Sequence, residues 1–333
     1  MKKIIILILS IFLLTGCNIF KSDALKDVDV YTTTYPVNYI INYLYGDYAN
    51  IYSIYPSGVN FKEYQLSEKK LNEFSKSSLF VFNSQDIDRN YAVKMLNKNS
   101  NLKLIDATLG MNYTYSIEEL WLNPYNYLMI AKNTKTSLNE YISDPYLNKQ
   151  INEKYEELQY ALSKLDATYK ETLKDAKYTT IVTDNELFKF LEKYNIEVIS
   201  LQENIETITI KDGDTLSNIS KEFNVSISDI LTYNNKLDEN IKIGETIKIP
   251  IKTIESSSVN KVKKLISEKK IKYIFSSNKE SNSIVNNLIK EYNLELITIN
   301  TMYSIDGDIT NTNENYLTIM NDNLELFKKE LYK

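Results

Sequence analysis

Histidine is absent from all 333 residues, and cysteine occurs once, at Cys17. The usual general base at neutral pH and the usual zinc ligand are therefore missing. No Ser/His/Asp or Cys/His set can form, and no P-loop or G-x-G-x-x-G motif is present. Chemistry here must come from carboxylates, lysines and amides, which suits binding better than catalysis. Asp86, Asp88 and Arg89 form an acidic–basic cluster that reads as a solvated loop. Asp306-Gly307-Asp308 has the start of a calcium loop without its later oxygen ligands, so it reads as a turn. Tyr39, Tyr43, Tyr45 and Tyr48 are able to stack on sugars, though helix packing accounts for them more simply. A net charge of −5 argues against nucleic acid as a partner.

The N-terminus carries a targeting pattern. Lys2 and Lys3 precede an apolar run, Ile4 to Leu14, too short to span a bilayer. It closes on Leu14-Thr15-Gly16-Cys17, which resembles a bacterial lipobox. The resemblance implies diacylglyceryl attachment at Cys17 and cleavage just before it. Residues 1–16 are then a lipoprotein signal peptide and 17–27 a tether. The mature chain would be extracytoplasmic and lipid-anchored to the cell membrane.

The elements that must position any site alternate strand and helix, which predicts parallel sheets with helices on their faces. In 28–143 the strands are expected at Val28–Thr33, Ala49–Tyr55, Leu79–Phe82 and Leu102–Ile105, with helices from Tyr35, from Ser67 and over Tyr91–Leu96. Within 144–177, Tyr155, Leu158, Leu162, Leu165, Tyr169 and Leu173 recur at spacings of three and four, the stripe of one long connecting helix. A second alternation occupies 178–206 and 252–333, including a helix expected over Glu186–Tyr194. The fold class is α/β, with two Rossmann-like lobes joined by a long helix.

Residues 207–251 interrupt the second alternation. Ile208 and Ile210 lead into a turn at Gly213. Two short helices follow, the second with Ser226 and Asp229 spaced for a capping box, and a strand runs from Thr246 to Pro250. This βααβ unit resembles a LysM domain through Lys211-x-Gly213-Asp214-Thr215-Leu216, Ile219, Phe223, Asp229, Leu231, Asn234, Ile241, Gly244 and Ile247-x-Ile249-Pro250. The resemblance implies binding to peptidoglycan or another N-acetylglucosamine glycan. Gly213, Asp214, Thr215, Leu216, Asn234, Ile241 and Ile243 would line that site. The other reading is a structural insertion with no ligand.

The host chain, Val28–Gln202 and Ile254–Tyr332, resembles the zinc and manganese substrate-binding lipoproteins of ABC transporters. The resemblance rests on Thr33-Thr34-Tyr35-Pro36, Pro56-Ser57-Gly58-Val59, Trp121-Leu122-Asn123-Pro124, Leu165-Asp166 and Tyr316–Asn323 (YLTIMNDN). It implies a ligand cleft between the lobes and a site of three histidines and one carboxylate. Aligned on that pattern, Lys62, Glu119 and Asp184 stand in place of the histidines, and Asn300, or Ser277, in place of the carboxylate. A lysine ammonium repels a cation and cannot ligate one. Three readings follow. Lys62 is an internal counter-ion to Glu119 and Asp184 at a site that has lost its metal. Alternatively Glu119, Asp184 and Asn300, with or without Glu63, form an all-oxygen site suited to Mn²⁺, Mg²⁺ or Ca²⁺. Or these are ordinary residues at a cleft mouth.

The sequence therefore points to a lipid-anchored solute-binding protein of the metal ABC transporter family carrying a peptidoglycan-binding module. An ABC permease and the membrane are the implied partners. No cofactor is called for, and a divalent metal enters only as transported ligand. The alternative is a non-transport scaffold or adhesin held between membrane and peptidoglycan. A wall hydrolase would fit the module, but no catalytic pair stands out.

Overall fold

The computed structural model describes residues 25–61, 64–84, 86–114, 116–202, 204–234, 236, 238–251, 257–279, 281–302 and 314–333. The chain forms two compact units, 1–109 with 129–159, and 110–128 with 160–333.

The first unit is built on a four-stranded parallel sheet of order β2-β1-β3-β4. Its strands are β1 (Val28–Thr32), β2 (Ala49–Ser53), β3 (Leu79–Phe82) and β4 (Lys103–Asp106). β3 reads Leu-Phe-Val-Phe and is buried throughout, as expected of an inner parallel strand covered on both faces. Helices α1 (Tyr35–Tyr45), α2 (Glu68–Phe74) and α3 (Asp86–Lys98) cross between strands. Pro36 fits the first turn of α1, where its missing N–H costs nothing. Val37, Ile40, Ile41 and Leu44 form the buried stripe of α1. Gly46 closes the helix because a Cβ there would lie 2.5 Å from the Asn42 carbonyl oxygen. Ser67 caps α2 by accepting from the Lys70 N–H. α3 is longer than the Tyr91–Leu96 helix expected from sequence and takes in Asp88.

Two long helices contribute residues to both units. α5 (Pro124–Tyr141) follows the short α4 (Glu119–Leu122), and α6 runs Pro145–Lys174 over 30 residues. Every residue of the expected α6 stripe, from Tyr155 to Leu173, is buried. Burying such a side chain contributes about 1.5–3 kcal/mol each, which fixes the helix face more firmly than propensity does.

The second unit holds a four-stranded parallel sheet of order β10-β9-β5-β6. Its strands are β5 (Thr180–Thr183), β6 (Glu197–Ser200), β9 (Tyr273–Ser276) and β10 (Glu295–Thr298). The helix expected over 186–194 is shorter, a 3-10 segment Lys189–Tyr194 ended by Asn195 in the left-handed region at φ 63°. α9 (Ser257–Ser267) and α10 (Ser283–Tyr292) pack on the sheet around Val262, Val285 and Leu288. α11 (Tyr316–Leu331) starts with a full capping box at Asn315 and Thr318.

Between β6 and α9 the chain builds β7 (Asn204–Thr209), α7 (Leu216–Glu222), α8 (Ile227–Tyr233) and β8 (Thr246–Ile251). β7 and β8 pair antiparallel, Thr209 opposite Thr246. This βααβ module has its own core of Ile210, Leu216, Ile219, Val225, Ile230, Ile247 and Ile249. Thr215 caps α7, and Ser226 with Asp229 caps α8 as the spacing foretold. Among the described residues no helix is long and apolar enough to cross a membrane.

Candidate functional site

Open parallel sheets bind ligands outside the carboxyl ends of their strands, where the strand order reverses. In the second unit that reversal falls between β5 and β9, because the chain runs from β5 outward to β6 and returns to β9 on the other side. Asp184 sits directly after β5, and Ser276 ends β9. The Asp184 carboxylate accepts from the Ser276 hydroxyl at 2.5 Å and from the Asn185 amide at 2.7 Å. Asn185 also donates to Ser277 Oγ. Asn282, the N-cap of α10, ties the crevice together by donating to the carbonyls of Asp184 and Leu201. Burial pushes the Asp184 carboxyl up to about 6, against the pull of the Ser276 hydrogen bond. A buried carboxylate at a switch point is placed for binding.

The first unit repeats the pattern. Its reversal lies between β1 and β3. Thr33 and Thr34 follow β1, Asn83 follows β3, and the Asn83 amide donates to Thr34 Oγ1 at 3.0 Å. Asp88 enters from α3, fully buried, and accepts from the Tyr55 hydroxyl. Burial pushes its carboxyl up to about 7, opposed by Tyr55 and then by Thr33 and Asn83. The buried Asn83 Oδ1 has no hydrogen-bond partner among the described residues. The structure thus corrects the reading of Asp88 as part of a solvated loop. The signal was in the spacing: Asp88, Tyr91, Ala92 and Met95 share one buried face of α3.

The remaining site positions have local partners. Glu119 turns back on its own approach loop and accepts from the N–H groups of Thr114 and Ser116. Asn300 Oδ1 accepts from the Met302 N–H, while its backbone pairs with the Asn323 side chain at 2.7 and 3.2 Å. Lys62 and Glu63 lie outside the described residues, as do Cys17 and the Asp306-Gly307-Asp308 run. Among the described residues, no three acidic, histidine or cysteine side chains stand together to hold a metal. The Trp121-Leu122-Asn123-Pro124 motif is structural. Trp121 is buried and donates Nε1–H to the Thr301 carbonyl at 3.0 Å.

The module's glycan-site positions divide by task. Gly213 takes φ +87°, which a side chain rarely adopts, and Asp214 accepts from the Lys211 N–H to close the same turn. Leu216 is core, and Ile241 packs partly against it. Asn234 Nδ2 donates to the carbonyls of Ile230 and Lys248, and its Oδ1 accepts from the Lys248 N–H. Ile243 is 70% exposed and presents the apolar surface of that loop.

Two parallel α/β units that share long helices, behind an N-terminal lipoprotein signal, define a class of extracytoplasmic binding protein. The model of the family "Zinc-uptake complex component A periplasmic" (ZnuA) matches residues 30–242, well over half of the chain, and the chain belongs to that family. The prokaryotic membrane lipoprotein lipid attachment site matches residues 1–18, so the protein is extracytoplasmic and lipid-anchored. It is similar to the zinc-binding lipoprotein AdcA of Streptococcus pneumoniae R6, 23% identical over 99% of this chain and 61% of the relative. The chain thus spans less than two thirds of that relative's length. It is also 26% identical to a metal ABC transporter substrate-binding lipoprotein of Lactococcus lactis, over 56% of this chain and 66% of the relative. In fold it is similar to the Zn(II)-bound ZnuA-like domain of S. pneumoniae AdcA (TM-score 0.65, 19% identity, 92% of this chain and 100% of that one). The metal-dependent lipoprotein YcdH of Bacillus subtilis is comparable (TM-score 0.65, 18% identity, 92% and 100%).

Proposed function

We propose that this lipoprotein is the substrate-binding component of a metal ABC transporter and that its metal site, which has no histidine, is degenerate. Asp184 carries the reading: it is a buried carboxylate at the switch point of a family member that has no imidazole. Glu119 and Asn300 are the companion oxygen groups, and Lys62 is the internal cation that holds the carboxylates when no metal is present. Oxygen groups favour Mn²⁺, Mg²⁺ or Ca²⁺ over Zn²⁺. We propose further that the βααβ module is a LysM-type domain that holds the anchored protein against N-acetylglucosamine-containing wall glycan. Its independent core and the exposed Ile243 support this.

Calorimetric titration of chelator-treated mature protein with Zn²⁺, Mn²⁺ and Ca²⁺ tests the first part. Weak Mn²⁺ or Ca²⁺ binding, lost in Asp184→Ala, is expected; no binding of any of the three below about 1 mM removes metal capture. Co-sedimentation with insoluble peptidoglycan tests the second, comparing wild type with Ile243→Asp. Equal retention of the two proteins defeats the Ile243 surface as the contact.

A further inference from the structure

We propose that the cavity where the module meets its host sheet is a second saccharide site, formed jointly by the two. The proposal rests on the glycan-binding reading of the module and adds a place and a composition to it. The cavity holds about 720 Å³, within the range of about 300–1,000 Å³ typical of small-molecule sites. Asp184, Gln202 and Lys279 line the host side, and Asp229 and Tyr233 of α8 line the module side. None of the positions assigned to the module's glycan loops, Gly213–Leu216 or Asn234–Ile243, enters this wall.

The chemistry of the wall selects the ligand. Acidic, basic, amide and phenolic groups surround one cavity, so it offers donors and acceptors in many directions. A purely apolar ligand would take water from the exposed Lys279 ammonium and Gln202 amide without replacing it, which is costly. Lys279 makes no ion pair among the described residues, and the Gln202 amide has no hydrogen-bond partner among them. Ile205, 46% exposed, adds an apolar strip beside Tyr233. Many hydrogen-bonding points around a small apolar face match one or two amino-sugar units, whose hydroxyls and acetamides ring a C–H face. Lys279 suits the carboxylate of an acidic sugar. A glycan held by the loop site and by the cavity is held twice, so two weak contacts act at high effective concentration.

The test is calorimetric titration of the full mature chain with tetra-N-acetylglucosamine and with a purified disaccharide muropeptide. Gln202→Ala and Lys279→Ala change exposed side chains and leave the fold intact; Tyr233→Ala removes the stacking face. Each is expected to weaken binding about tenfold, the scale of one lost hydrogen bond or stacking contact. If Gln202→Ala and Lys279→Ala bind as wild type while Ile243→Ala loses affinity, the cavity is overturned and the module's glycan binding stands. If wild type binds neither probe, the glycan reading itself falls, and the cavity with it.

Discussion

Tyr55 donates its phenolic hydroxyl to the carboxylate of Asp88, 33 residues further along the chain. The contact ties the segment after β2 to the first turn of α3, and that segment runs straight into Pro56-Ser57-Gly58-Val59 and Lys62. The described residues that lead toward Lys62 are thus tied, at Tyr55, to a buried acid.

That acid makes stability depend on pH. An ordinary aspartate titrates near 3.9, whereas Asp88 titrates at about 7 in the fold. Below about pH 4 both folded and unfolded chains hold the proton, and the group contributes no difference. Between the two values only the folded chain holds it, so stability falls as pH rises through this window and levels off above about 7. Asp88→Asn mimics the protonated acid and still accepts from Tyr55. Its stability, followed by thermal melting, is expected to gain on wild type from about pH 5 to about pH 8, by an amount on the order of 1–4 kcal/mol. Parallel melting curves at both pH values would contradict the assignment.

Trp121 and Tyr316 form a second long-range lock. The Tyr316 hydroxyl donates to the Trp121 carbonyl at 2.6 Å, and its ring stacks on Tyr127 at 3.7 Å. Tyr316→Phe keeps the stacking and strands a buried carbonyl, at a cost of about 1–3 kcal/mol. Trp121 is the chain's single tryptophan and is fully buried, so its emission reports on this unit alone. The expected result is an unchanged native spectrum and an earlier red shift in urea. A urea midpoint equal to wild type would refute the lock.

These contacts mark what sequence made legible. Strand–helix alternation, the α6 stripe and the Ser226–Asp229 cap are local patterns, and they appeared near where spacing placed them, with α3 extended and the 186–194 helix shortened. The Trp121-Leu122-Asn123-Pro124 and Tyr316–Asn323 motifs were visible too, but not their reason. They meet through Trp121 and Tyr316, 195 residues apart, and Asn323 of the second motif holds the backbone of Asn300. Leu165-Asp166 was likewise visible without its partners, Lys193 and Tyr194, both of which donate to Asp166. Asp88 was misread because the helix was expected to start only at Tyr91, which left the acid in a loop, where charged residues are usually solvated. The pairing of Asp184 with Ser276 spans 92 residues and follows from strand order, which periodicity does not encode.

The module offers a local test of its independence. Two Asn234 hydrogen bonds, to the N–H and carbonyl of Lys248, join the end of α8 to the middle of β8, and a third returns to the Ile230 carbonyl. Asn234→Ala leaves the Lys248 N–H and carbonyl without their partner, at about 1–3 kcal/mol. Because the module has its own core, faster amide exchange is expected at Ile247–Ile249 while Ile181, Val182 and Ile274 of the host sheet keep wild-type protection. Equal acceleration in the host sheet would mean that module and host unfold as one.

The last prediction concerns Lys62. If its ammonium is the internal substitute for a metal, it opposes every divalent cation that approaches Glu119 and Asp184. Lys62→His exchanges that charge for an imidazole, which is neutral above about pH 6.5 and ligates zinc through either ring nitrogen. Two changes then act in the same direction: a repulsion is removed and a donor is gained. Zn²⁺ affinity is expected to rise at least about tenfold in calorimetry at pH 7.5, with Lys62→Ala giving a smaller rise because it removes only the repulsion. The order wild type, Lys62→Ala, Lys62→His separates charge from ligation. Identical Zn²⁺ titrations for all three would exclude residue 62 from the site and, with it, the internal-cation reading.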